Sequence, residues 1–124
     1  RGVTWSPGRP TDLGGPGSRF AIRRLQSGRL LLVNHYGFHR RDHLTAMLSD
    51  DDGQTWYGHL PMDPRDQVSY PDLAQAEDGR VYCIYDRERS GAREILMAVF
   101  TEEDVAAGRP VSAGARLRVL VNKA

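Results

Sequence analysis

Ser49-Asp50-Asp51-Asp52-Gly53-Gln54-Thr55-Trp56 is the stretch on which the fold turns. Serine, aspartate, glycine, threonine and tryptophan at this spacing describe a tight turn rather than a cleft. The Ser49 and Asp51 side chains can accept hydrogen bonds from backbone N–H groups of the turn. Trp56 can then pack beneath neighbouring strands. Asp51 is therefore read as a staple of the fold and not as a catalytic carboxylate. The end of the same motif stands at Gly2-Val3-Thr4-Trp5, fifty-one residues earlier.

That offset holds elsewhere. Gly28-Arg29-Leu30 meets Gly79-Arg80-Val81, Leu44–Leu48 meets Ile95–Val99, and Ser18 meets Ser69. Chance supplies one such match, hardly four in one register. Each unit reads as four short strands. The first has Arg19–Leu25, Leu30–Tyr36, His43–Leu48 and a strand from Trp56; the second has Tyr70–Ala76, Val81–Tyr85, Ile95–Thr101 and Arg116–Val121. Gly79 supplies the positive φ that a hairpin turn wants. Thr101–Gly108 breaks the pattern: its threonine can cap a short helical turn that ends at Gly108, where the second unit would otherwise carry its own turn motif. A four-stranded antiparallel unit recurring about every fifty residues marks blades of a β-propeller. The expected fold class is all-β, about two four-stranded antiparallel blades; a two-sheet sandwich with coincidental similarity is the competing reading. The expected division is 1–15 as the end of a preceding blade and linker, 16–66 as one blade and 67–124 as the last. The chain is expected to be a C-terminal piece of a longer protein whose remaining blades complete the ring.

Composition narrows the function. The chain has 124 residues, 17 basic and 16 acidic, for a net charge of +1. A nucleic-acid or acidic-membrane partner needs a clustered basic excess, which is not there. The longest apolar stretch, Ile95–Phe100, is far too short to span a membrane. The single cysteine, Cys83, lies in an apolar run and reads as a buried thiol. His35, His39, His43 and His59 lack a convincing metal-ligand spacing.

With the motif complete at Ser49, Asp51, Gly53, Thr55 and Trp56, the stretch resembles the Asp box of sialidases (neuraminidases) and other BNR-repeat propellers. The chain resembles the last two blades of a six-bladed exo-α-sialidase-like propeller over nearly its whole length. Arg41-Asp42-His43-Leu44-Thr45 resembles the segment that carries the third arginine of the sialidase triad. Ser69-Tyr70-Pro71-Asp72-Leu73 resembles the segment of the catalytic tyrosine, and Tyr70 lies twenty-nine residues after Arg41, close to the usual separation. Tyr85-Asp86 resembles the strand end where the family places a carboxylate that steadies an arginine.

The resemblance implies a retaining glycoside hydrolase acting on a glycan substrate, with Tyr70 as nucleophile, Arg41 as a carboxylate clamp and Asp86 as an orienting carboxylate. It requires no cofactor and no metal, and implies secretion or periplasmic export of the full-length protein. The chemistry suits these residue types. Sialic acid carries a carboxylate on its anomeric carbon, which would repel an anionic Asp or Glu nucleophile; a tyrosine avoids that, and sialidases are the exception to the two-carboxylate rule. Arginine offers planar, permanently charged forks for a carboxylate. Arg19, the counterpart of Tyr70 in the repeat, is expected to face the same central channel as a sugar contact, while Arg23 and Arg24 are expected on solvated strand surface.

Each assignment has a plainer alternative. Tyr70 could be an ordinary sheet aromatic, although Pro71 after it limits ladder hydrogen bonding. Arg40 competes with Arg41, since neighbours on a strand face opposite ways. Asp86 either orients an arginine or pairs with Arg87 or Arg89 at the surface. Pro71 stands where sialidases commonly have Ser, and Asp86 where they commonly have Glu. The family's general acid, first two arginines and tyrosine-activating carboxylate belong to earlier blades, so these 124 residues alone are expected to be inactive. A non-catalytic Asp-box propeller that binds carbohydrate or protein is the alternative function.

Overall fold

The computed structural model describes residues 2–124. Its strands are β1 (Ala21–Arg24), β2 (Leu30–His35), β3 (Leu44–Ser49), β4 (Tyr57–Asp63), β5 (Val68–Gln75), β6 (Val81–Arg87), β7 (Glu94–Phe100) and β8 (Arg116–Lys123), with one short helix, α1 (Glu102–Ala107), between β7 and β8. The fold is all-β: two four-stranded sheets, β1-β2-β3-β4 and β5-β6-β7-β8, with every neighbouring pair antiparallel. Each sheet has the up-and-down order of a propeller blade.

The repeat is visible in the hydrogen bonds. In the β1–β2 turn the Leu25 N–H donates to the Arg29 carbonyl at 2.8 Å and Gly28 to Leu25 at 2.9 Å; in the β5–β6 turn Ala76 donates to Arg80 at 2.8 Å and Gly79 to Ala76 at 3.0 Å. Gly28 and Gly79 take φ of 90° and 84°, which only glycine adopts without strain. The register of fifty-one survives through three strands and ends at the fourth, because α1 is inserted before β8.

Alternation along the strands selects the core. On β6, Val81, Cys83 and Tyr85 are buried while Ile84 between them is 45 % exposed. Those three join Leu31, Val33, Leu44, Ala46 and Leu48 from the first sheet and Leu96, Ala98 and Phe100 from β7 in one cluster between the sheets. Full burial of each large member stabilises by about 1.5–3 kcal/mol. Burial also pushes the Cys83 thiol well above its ordinary range, as expected of an inert core cysteine.

Polar ties lock the sheets together at defined points. Asp63, at the end of β4, is fully buried; it takes a bidentate pair from Arg65 at 2.6 and 2.8 Å and accepts the Tyr85 hydroxyl of β6 at 3.0 Å. Burial alone would raise the Asp63 carboxyl, but the Arg65 guanidinium outweighs it and holds the group ionised. Arg23 and Arg24 are both exposed, as the sequence suggested; the Arg23 guanidinium reaches across to donate to the Leu73 carbonyl of β5 at 2.8 Å, and Arg24 pairs with Asp52 at 2.6 Å.

Candidate functional site

The Asp box sits in the β3–β4 connection and is built as its residue types dictate. Ser49 Oγ donates to Asp51 Oδ1 at 2.8 Å and accepts the Gly53 N–H at 2.8 Å; Asp51 accepts the Thr55 N–H at 2.8 Å and the Thr55 hydroxyl at 2.6 Å. Those donors, Thr55 first, hold the Asp51 carboxyl at about 2. Gly53 has φ of 88°, and a Cβ there would stand 3.3 Å from the Trp56 ring. Ser49, Asp51, Gly53 and Thr55 are thus bonded to one another within the turn. The earlier Gly-x-Thr-Trp copy is looser: the Trp5 indole bonds the Gly2 carbonyl at 3.1 Å and is 85 % exposed.

The chemistry gathers at the far end of the second sheet. Ser69 pairs with Asp86 across β5 and β6, the next pair is Asp72 with Ile84, and between them Tyr70 and Pro71 face the single residue Tyr85. This is a β-bulge, which re-aims side chains next to it. Pro71 has no N–H to contribute to the ladder, which suits a bulge. Tyr70 takes φ of 56°. A bulky residue in the left-handed region is an outlier, doubly so before proline, and such strain costs on the order of 1–3 kcal/mol. The side chain it redirects is 42 % exposed.

Two arginines flank that ring. The Arg89 guanidinium lies 3.9 Å from the ring centroid and that of Arg41 lies 5.7 Å away, both within cation–π range. Asp86 holds Arg89 by two hydrogen bonds, 2.5 Å from Nε and 3.2 Å from one terminal nitrogen, and that nitrogen also donates to Ser69 Oγ at 3.2 Å. Ser69 in turn donates to Asp86 at 3.0 Å. The Asp86 carboxylate, with Tyr70 adding to it, raises the Arg89 pKa above its ordinary value, so this charge is permanent. Arg87 is occupied elsewhere, paired with Glu94 at 3.0 Å and in contact with Glu88.

A cavity of about 520 Å³ opens over Tyr70, Ile84, Ile95 and Arg89, and a smaller one of about 120 Å³ adjoins it between Arg41 and Arg89. Arg41 itself is half-buried, and its guanidinium donates a 3.3 Å hydrogen bond to the Gly17 carbonyl. The Arg41 carbonyl accepts the Val68 N–H at 2.9 Å, which ties the Arg41 loop to the start of β5. Tyr70, Arg41 and Asp86 are therefore together. Arg19 is apart from them: it precedes β1, lies 4.0 Å from Asp72, and lines a separate depression with Arg23 and Leu73.

The residue that sequence reasoning undervalued is Arg89, named only as a surface partner for Asp86. Its place beyond the end of β6 gives no period to read, and only the bulge at Tyr70 brings ring and guanidinium together. The histidines are dispersed in role. His35 is buried with Nδ1 bonded to the Asp42 carbonyl at 2.6 Å, and burial lowers its pKa; Tyr36 stacks on His59 at 4.3 Å. Among the described residues no group of three or more His, Cys, Asp or Glu could hold a metal ion, and no helix is long and apolar enough to cross a membrane.

Repeated four-stranded antiparallel sheets, stapled by an Asp-box turn and bearing a polar cluster at strand ends, define a β-repeat protein of the Asp-box class. The family model for the BNR repeat-like domain matches residues 1–83, that is 83 of 124 residues, and the chain belongs to that family. The matched span contains the Asp box, Arg41 and Tyr70 and stops before Asp86 and Arg89. No curated protein and no solved structure matches the chain.

Proposed function

We propose that this chain is the C-terminal part of a glycoside hydrolase of exo-α-sialidase type, cleaving terminal sialic acid or a related acidic sugar from glycoconjugates. The observation that carries the reading is Tyr70: a strained, exposed phenol flanked by Arg41 and Arg89 at the rim of a 520 Å³ cavity. Strain of this kind persists where the surroundings over-determine it, and it concentrates at functional sites. In the reaction the Tyr70 oxygen, its proton taken by a carboxylate on another part of the protein, forms a bond to the anomeric carbon as the bond to the aglycone breaks. The aglycone takes a proton from an acid on another part of the protein, and water then releases the sugar with retained configuration. Arg41 and Arg89 supply fixed positive charge for the sugar's carboxylate.

Two features favour completion by further blades. The inner strands β1 and β5 already lie side by side, joined from Arg23 to Leu73 and from Gln26 to Gln75. The outward face of the second sheet leaves Ile84 exposed and Ile95 and Met97 only half-buried. A neighbouring blade would cover that face and the unpaired sheet edges.

The second reading, a non-catalytic propeller that binds glycans, is favoured by one observation. Asp86 is spent on Arg89 three residues away, and the guanidinium occupies the Tyr70 ring face where a sugar would otherwise stack. Hydrolysis of fluorogenic α-sialosides by the full-length protein, followed by NMR of the first sugar released, separates the two. Retention of the α-anomer is expected. Inversion would contradict a tyrosine nucleophile, and retention of glycans without turnover would establish the binder.

A further inference from the structure

We infer that His35 positions Arg41 through the loop 36–43 and does so only while its imidazole is neutral, which makes the seat of that loop a proton-sensitive switch. Taking Arg41 as a ligand-binding residue rests on the reading above; the switch itself does not.

Backbone bonds tie the loop to its surroundings. The Tyr36 N–H donates to the His43 carbonyl at 3.2 Å and closes its base, and the Val68 N–H of β5 donates to the Arg41 carbonyl at 2.9 Å. The buried anchor is His35, 2 % exposed at the end of β2. Its Nδ1 meets the Asp42 carbonyl at 2.6 Å. A carbonyl only accepts, so Nδ1 carries the proton of the neutral ring and Nε2 is bare. Nε2 is buried and has no hydrogen-bond partner among the described residues. The ring also stands edge to face with Phe38 of the loop at 6.4 Å, and Phe38 lies against Gly14, where a Cβ would stand 3.3 Å from it.

The repeat shows why a charge is costly there. Asp86 stands fifty-one residues after His35, and the register agrees: His35 is opposite Leu44 and Asp86 opposite Ile95. The Asp86 carboxylate is compensated by Arg89 and Ser69. In the first sheet the counterpart of Ser69 is Ser18, whose Oγ is likewise buried with no partner among the described residues. An imidazolium at His35 would carry an N–H with no acceptor, a charge buried without compensation.

The neighbouring charges do not supply that compensation. Burial is the largest influence and lowers the His35 pKa; the Asp42 carbonyl and carboxylate oppose it, and Arg41 adds to it. In the same cross-strand row Leu44 pairs with Asp63, whose carboxylate is already taken by Arg65 and Tyr85. The segment 14–17 and Val68 carry no titratable side chain. An ordinary histidine titrates near 6.5, and His35 is held below that. Folding therefore favours the neutral ring: the seat is intact above about pH 6.5 and is lost as pH falls below it.

The test is hydrogen–deuterium exchange at the Val68 amide in the full-length protein, corrected for the intrinsic effect of pH, at about pH 7.5 and about pH 5. Protection is expected to fall about ten-fold or more in acid. His35→Asn keeps a donor for the Asp42 carbonyl but cannot titrate, and its protection should be the same at both values. His43 lies 3.1 Å from the Asp42 carboxylate and is the rival titrating group; His43→Asn, which tolerates the positive φ found there, should keep the fall. Equal protection at both pH values in the parent, or a fall that persists in His35→Asn, would overturn the switch. Nitrogen NMR of the parent needs no variant: a proton on Nδ1 and a His35 midpoint below 6.5 are expected, and a proton on Nε2 or a midpoint at or above 6.5 would overturn it. The expected exchange without sialoside turnover would leave the switch standing and remove the hydrolase reading. Turnover with pH-independent exchange would do the reverse.

Discussion

The two sheets come from one repeat and part company at two places, the connection to the fourth strand and the innermost strand. In the first sheet that connection is the Asp-box turn, with Asp51 as its hub in a half-exposed loop. In the second it is α1 with the loop after it, and the hub is Asp104. Asp104 is fully buried. It accepts the Thr101 N–H at 2.8 Å, the Val111 and Ser112 N–H groups at 2.6 and 2.7 Å, and the Ser112 hydroxyl at 2.7 Å. Burial by itself would raise the Asp104 carboxyl, yet the Ser112, Val111 and Thr101 donors prevail and hold it at about 2. One carboxylate organises each loop, but only Asp104 also seats an element on the other sheet: α1 packs on β3 and β4. The contact is so close that a Cβ at Gly58 would lie 2.2 Å from the Val105 carbonyl oxygen. The lesson is that the second sheet gives up the standard staple for an intersheet clamp, and it carries the strained Tyr70 bulge on the sheet so clamped.

Breaking the clamp should have the largest effect. Gly58→Ala places a methyl group against backbone and forces a side chain into φ of 93°, and a loss of about 3 kcal/mol or more is expected in urea unfolding. Asp104→Ala comes next: it strands three backbone N–H donors, and a loss of about 2–3 kcal/mol is expected. Asp51→Ala, measured the same way, should cost clearly less, because water can replace its carboxylate in the more open turn; a loss equal to that of Asp104→Ala would erase the distinction between the two hubs.

Acid sharpens the same comparison. A free aspartate titrates near 3.9, whereas Asp104 is held at about 2, so folding favours its charged form. The resulting stability is fully present above about pH 4 and is lost as pH falls through 2. It is on the order of 2 kcal/mol. Asp104→Asn should flatten that part of the stability-against-pH curve.

The smallest effect concerns the inner strands. β1 runs without a bulge, whereas β5 is kinked at Tyr70. Tyr70→Asn, which tolerates the left-handed region, should raise stability by about 0.5–1 kcal/mol while removing any function of the phenol, the trade-off expected of a strained site. A drop in unfolding midpoint would show that the ring's packing outweighs the strain.

Much of this was legible in the sequence. Leu30, Leu44, Val81 and Ile95 fall inside strands found by the offset of fifty-one, Thr101 and Gly108 cap the helix expected between them, and Ser49 to Trp56 form the turn that their residue types demand. Local rules sufficed because turns and caps are local. The roles of Arg23, Arg89 and Asp104 were not legible. Arg23 acts across a long span of chain, and Arg89 and Asp104 act beyond a strand end, where no period marks a partner. Tyr70 and Arg41 were found by resemblance, but the bulge that turns the ring outward needs the pairing of β5 with β6.

The most direct test of the account is kcat/KM for a fluorogenic α-sialoside in the full-length protein and in its Tyr70→Phe variant, with matched unfolding curves. The account expects measurable hydrolysis in the parent and a fall of roughly 10³-fold or more on loss of the phenolic oxygen. Equal rates in the two proteins would contradict it, and would remove Tyr70 from the chemistry.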